Sequence, residues 1–170
     1  MELARRLIAI IPQYVEADSP YLALARAQRE LGEQAAALES LETFWREGGY
    51  DPASLKRLAQ WLVGADNKAT AIEVYQSINL VDPLDQELHG ELGDMLLESG
   101  QALSALREFE IALALEPHDM ATAWYRLAQA QHELGNIEMS QGYLLQALDV
   151  APNFRPAQRL LLRLANSPID

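Results

Sequence analysis

Apolar residues recur along the chain three and four positions apart, with bulky and small ones in a fixed order. Tyr21, Leu24 and Ala25 form a trio of bulky residue, leucine and small residue. The same trio returns as Leu55, Leu58, Ala59, as His89, Leu92, Gly93 and as Trp124, Leu127, Ala128. Spacings of three and four set these residues on one stripe of an α-helix, because an α-turn holds about 3.6 residues. A second stripe follows each trio: Ala37, Leu41, Phe44, then Ala71, Tyr75, Ile78, then Ala105, Phe109, Ala112, then Ser140, Leu144, Ala147. The pattern predicts four pairs of helices. No stretch has the β-branched alternation of a strand, so the chain is expected to be all-α.

Punctuation residues separate these stripes. Gly32, Asp66, Gly100 and Gly135 mark the turn inside each pair, where a left-handed residue can end a helix. Gly49, Pro83, Pro117 and Pro152 close the pairs, and proline resets the chain for the next helix. Ser19-Pro20 and Asp51-Pro52 read as an N-cap followed by proline in the first turn. The self-alignment gives units over 18–51, 52–85, 86–120 and 121–154, the third with one extra residue. Before them, Glu2 to Ile11 within 1–17 reads as the second helix of a unit whose first helix is missing. After them, Pro156 to Ala165 within 155–170 reads as a capping amphipathic helix, with Arg155, Arg159 and Arg163 on one stripe.

Paired small residues let two antiparallel helices approach closely, and the large ones fill the gap to the next pair. Over residues 18–154 this pattern resembles the tetratricopeptide repeat (TPR), a helix–turn–helix unit of about 34 residues. The stretch from Ala121 to Phe154 is nearest the family pattern. Gln28, Leu62, Leu96 and Gln131 depart from it where the family often has tyrosine, and Asp66 replaces one turn glycine. The resemblance implies a right-handed helical solenoid of about four units, flanked by a half repeat and a capping helix.

Composition narrows the function. The absence of cysteine removes disulfides, thiolate metal sites and a cysteine nucleophile. It fits the cytoplasm, and an exported protein too. No apolar run is long enough to span a membrane, so membrane insertion is not expected. A formal charge of −12 disfavours nucleic acid, which requires a basic footprint. The charge is uneven: from Asp82 to Asp119 ten acidic residues face one basic residue, Arg107. His89, His118 and His132 match no metalloprotease spacing, and no phosphate loop, nucleophile elbow or calcium loop is present. Neither an enzyme nor a cofactor is expected.

In the family the first helix of each unit lines an inner groove, and the resemblance carries those positions onto this chain. Arg26, Arg29, Lys56, Arg57 and Gln60 give a basic half. Glu87, Glu91, Asp94, Leu97 and Glu98 give an acidic half, and Tyr125, Arg126 and Gln129 lie beyond. Relatives that hold a chaperone's C-terminal carboxylate use a Lys/Asn-rich clamp. Here Leu22, Arg26, Glu87 and Glu91 stand at clamp positions, so that ligand is not expected. The expected function is a protein–protein interaction module holding a peptide or partner protein, in an adaptor or scaffold role. Two alternatives stay open: the non-catalytic C-terminal tail of a larger bacterial enzyme such as a peptidase, and a homo-oligomeric scaffold assembled through unpaired end helices.

Overall fold

The computed structural model describes residues 1–166. Ten α-helices and no strand occur among the described residues: α1 (Glu2–Ile10), α2 (Pro20–Glu30), α3 (Gln34–Arg46), α4 (Pro52–Gly64), α5 (Lys68–Asn79), α6 (Gln86–Glu98), α7 (Ala102–Ala114), α8 (Met120–Glu133), α9 (Ile137–Val150) and α10 (Arg155–Asn166). They form two compact bodies, one up to Val81 and one from Asp82. In the first, α2 pairs with α3 and α4 with α5, and α1 lies on α2. In the second, α6 pairs with α7 and α8 with α9, and α10 lies on α9.

The helix ends follow from local chemistry. Gly32, Gly100 and Gly135 adopt positive φ, and Asp66 takes the same left-handed conformation at φ 60°. Aspartate tolerates that region better than most residues, so the turn survives without glycine. Each of these turns closes with a backbone N–H bonding to the carbonyl five residues back: Glu33 to Gln28, Asn67 to Leu62, Gln101 to Leu96 and Asn136 to Gln131, all at 2.8–2.9 Å. The starts of α4, α6 and α8 are capped by side chains. Asp51, Asp85 and Asp119 accept from Ser54, Leu88 and Thr122 backbone N–H groups at 3.0 Å.

Asp119 also accepts from the Thr122 hydroxyl at 2.7 Å. These bonds hold its carboxyl below the usual carboxylate range. Its contribution to stability is therefore present above the unfolded-state pKa and is lost as pH falls through the lower folded value. Asp119→Ala is expected to cost about 1 kcal/mol at neutral pH. The loss should shrink in denaturation curves taken as the solution is acidified.

Two buried cores follow the small-and-large order. Ala25, Ala37, Ala59 and Ala71 allow close helix approach in the first body, where Leu41, Phe44, Tyr75 and Ile78 fill the interior. In the second body Gly93, Ala105, Ala128 and Ser140 are the close-approach residues, with Phe109 and Leu144 as fillers. The Ser140 hydroxyl donates to the Ala128 carbonyl at 2.8 Å, tying α9 to α8 at the small pair.

Candidate protein-binding surface

In the first body, the α2–α4 side carries the basic residues singled out from sequence. Arg26 and Arg29 are exposed on α2, Lys56 and Arg57 are half-buried on α4, and Gln60 is exposed. Arg26, Arg29 and Arg57 line one cleft, along with Trp61 and a floor of Leu22 and Leu41. Proline at the first turn of both α2 and α4 fixes where those helices begin. The cleft brings together three arginines, whose guanidinium groups can bind carboxylates through two parallel N–H bonds, and Trp61. With room for only about 10 Å³, it suits carboxylates laid across the surface and not a side chain inserted into it.

In the second body, the acidic positions divide into two groups. Glu87 and Glu98 are exposed on α6, while Glu91 and Leu97 are half-buried. Asp94 and Arg126, both expected to meet a ligand, meet each other. Arg126 Nε donates to Asp94 Oδ1 at 3.0 Å and Nη2 donates to Oδ2 at 2.5 Å. The pair bridges α6 and α8, and the guanidinium lies 6.0 Å from the centroid of the Phe109 ring. Gly90 makes room for it: a Cβ there would stand 2.5 Å from Arg126 Nη1. Burial pushes the Asp94 carboxyl up from its ordinary value; the Arg126 bonds pull the other way, and Glu98 and Glu91 add to the rise. The acidic half of the surface is thus partly neutralised from within.

Tyr125 and Gln129 are half-buried on α8. The Tyr125 ring meets Phe154 edge-on at 5.7 Å, and it borders a second cleft with Pro156, Arg159, Leu162 and Arg163 of α10. Sequence reasoning placed Arg159 and Arg163 on a stripe but did not join them to Tyr125. The signal available was the two arginines four residues apart; the link to Tyr125 depends on how α10 lies against α9.

Of the histidines, His89 is buried, with Nδ1 2.7 Å from Glu108 Oε2 and Nε2 3.0 Å from the Pro83 carbonyl. A carbonyl only accepts, so Nε2 donates, and both ring nitrogens are engaged in holding α6 to α7 and to the preceding turn. His118 lies exposed in the bend before α8. Among the described residues, no group of three or more His, Asp or Glu side chains is placed to hold a metal ion. Among the described residues, no helix is long and apolar enough to cross a membrane.

Residues 121–154 match the family model of the tetratricopeptide repeat. In sequence the chain is 26% identical over 146 residues to the general transcriptional corepressor ssn6 of Schizosaccharomyces pombe. That alignment covers 84% of this chain and only 13% of the corepressor's length. In structure it is similar to YrrB, described as a TPR protein with an unusual peptide-binding site, with a TM-score of 0.70 at 20% identity over 94% of this chain and 84% of that one. MamA from Desulfovibrio magneticus RS-1 gives a TM-score of 0.70 at 23% identity, over 85% of this chain and 81% of MamA. The first TPR domain of Spaghetti, solved with an HSP90 peptide, gives 0.60 at 20% identity over 65% of this chain and 87% of that domain.

Proposed function

We propose that this chain, a tetratricopeptide-repeat protein, is a non-catalytic binding module that holds an acidic peptide segment of a partner against α2 and α4. The repeat fold supports a protein-interaction module, and the peptide-binding site of YrrB and the HSP90 peptide on the Spaghetti domain favour a peptide ligand. The observation that carries the finer reading is the cleft where Arg26, Arg29 and Arg57 converge beside Trp61. In a chain of net charge −12, three guanidinium groups on one cleft are a local reversal of sign. Carboxylates of the ligand would pair with them, and an apolar side chain would rest on Trp61. Charge of this kind sets register and association rate, while the apolar anchor holds the complex.

The internal pairing of Asp94 with Arg126 modifies a simpler picture, in which a basic stretch of the ligand would lie on α6. Glu87 is the exposed acidic residue at the start of α6 that still suits such a contact. We therefore assign the ligand's acidic part the main role.

Selection of random peptides on the immobilised chain tests this reading. Enriched sequences should carry Asp or Glu close to an aromatic or aliphatic residue. Their affinity should fall at least about tenfold in an Arg26→Glu/Arg57→Glu variant, a loss of about 1.4 kcal/mol, and should weaken with added salt. No enrichment, or enriched peptides that bind the variant equally well, would contradict it.

A further inference from the structure

Three arginines converge on the α2–α4 cleft, and nothing in it opposes their charge. The chain carries 25 acidic residues. None of them lines this cleft, whose remaining walls are Leu22, Ala25, Leu41, Ser54 and Trp61. Other arginines are answered from within the chain: Arg46 lies 2.6 Å from Glu42, and Arg126 lies 2.5 Å from Asp94. Among the described residues, Arg26, Arg29 and Arg57 have no carboxylate within ion-pair distance.

Such a cluster is unfavourable by itself. Arg26 and Arg29 stand three residues apart on α2, a spacing at which like charges on a helix repel. Arg57 brings a third positive charge from α4. A bound anion removes the repulsion, and counting charges and acceptor atoms decides which anion does so best.

A side-chain carboxylate brings one negative charge, and a fork-to-fork bond with a single guanidinium engages both of its oxygens. Two of the three arginines then keep their charge unanswered. A phosphate monoester carries about −1.5 to −2 at neutral pH and offers three terminal oxygens. Those oxygens point in different directions, so guanidinium groups arriving from α2 and from α4 each find one. The shallowness of the cleft, about 10 Å³, favours the same anion. A phosphoryl group seated on the surface keeps part of its hydration, and the exposed side chains of Arg26 and Arg29 are long enough to rise to it.

We propose that the partner segment held against α2 and α4 carries a phosphorylated serine or threonine, and that Arg26, Arg29 and Arg57 recognise its phosphoryl group. On the peptide-binding reading, on which this rests, Asp and Glu of an unmodified peptide are weaker substitutes for that group. A residue next to the phosphorylated one lies on Trp61. Binding then follows the ionisation of the ligand and not of the protein. The charged groups facing the cleft are Arg26 and Arg29 from α2 and Arg57 from α4, α3 contributes Leu41, and arginine stays protonated throughout. The second phosphoryl ionisation falls near pH 6, whereas a glutamate titrates near about pH 4.3.

Three degenerate peptide pools, alike except for a central phosphoserine, glutamate or serine, test the assignment on the immobilised full chain. At about pH 7.5 the phosphoserine pool should be retained at least about tenfold more strongly than the glutamate pool, the effect of one further charge-assisted hydrogen bond. That advantage should shrink towards about pH 5, where the phosphoryl group becomes a monoanion. The serine pool should pass through, and the Arg26→Glu/Arg57→Glu variant should release the phosphoserine pool. Inorganic phosphate at the peptide concentration should leave that pool bound, because it lacks flanking residues to rest on Trp61. Glutamate retained as strongly as phosphoserine would overturn the phosphoryl assignment while leaving the peptide-binding reading in place. Retention of neither pool would overturn both. Phosphoserine peptides held equally by the variant, or displaced equally by inorganic phosphate, would also overturn the assignment, the first by moving the site and the second by reducing it to a free-anion site.

Discussion

Gly93→Leu is expected to destabilise the second body by roughly 3 kcal/mol or more, the upper end of the overpacking range. Gly93 sits within α6, a place where glycine costs about 1 kcal/mol relative to alanine. Its retention is explained by Phe109: a Cβ at position 93 would stand 2.3 Å from that ring's Cε1 and 2.6 Å from Cδ1. The ring is fully buried and cannot swing into solvent. A leucine adds three more carbons to that clash. Urea denaturation should show the loss, and a double-mutant cycle isolates its cause. With Phe109→Ala in place, Gly93→Ala should be neutral or stabilising, because only its gain in helix propensity remains. If Gly93→Ala cost the same in both backgrounds, contact with Phe109 would not be the reason for the glycine.

Phe44→Ala should cost the first body about 3–5 kcal/mol, as expected when a large buried aromatic side chain is removed. Phe44 closes α3, with no exposed surface, and its ring presses on the backbone at Gly49. A Cβ at position 49 would be 2.4 Å from its Cε2, so the chain turning out of α3 is moulded around this ring. Phe44→Leu, which keeps most of the volume, should lose appreciably less. Equal losses for alanine and leucine would indicate that the shape of the ring, and not the cavity, decides the cost.

Both arguments rest on features that were legible in the sequence. The order of small and large residues at fixed register identifies the helix pairs, because close approach at Ala25 or Gly93 has to be matched by bulk at Leu41 or Phe109. Even the departure at Asp66 was readable as a turn, since aspartate accepts the left-handed conformation that glycine supplies elsewhere. The left-handed residue Glu116, at φ 55°, was not: glutamate gives no local signal for such a turn.

The candidate surface was less legible. In repeat register Arg126 stands at the place of Glu91 and Asp94 at the place of Gln129, so the register alone did not pair Arg126 with Asp94. The guanidinium also lies over Gly90, and a glycine within a helix does not by itself reveal what passes over it. Likewise His89 was readable as a core residue, but its bonds to Glu108 and to the Pro83 carbonyl depend on the pairing of α6 with α7. The convergence of Arg26, Arg29 and Arg57 follows from repeat register, whereas Trp61 as their neighbour does not, because it lies one turn further along α4.

The most direct measurement is a titration of the isotopically labelled chain with a selected acidic peptide, followed by NMR at each backbone amide and arginine side chain. Shifts should concentrate on α2 and α4, with the Arg26, Arg29 and Arg57 guanidinium signals and the Trp61 indole N–H among the most affected, and little change on α7 or α9. Shifts that centre on other helices, with those four side chains unmoved, would contradict it.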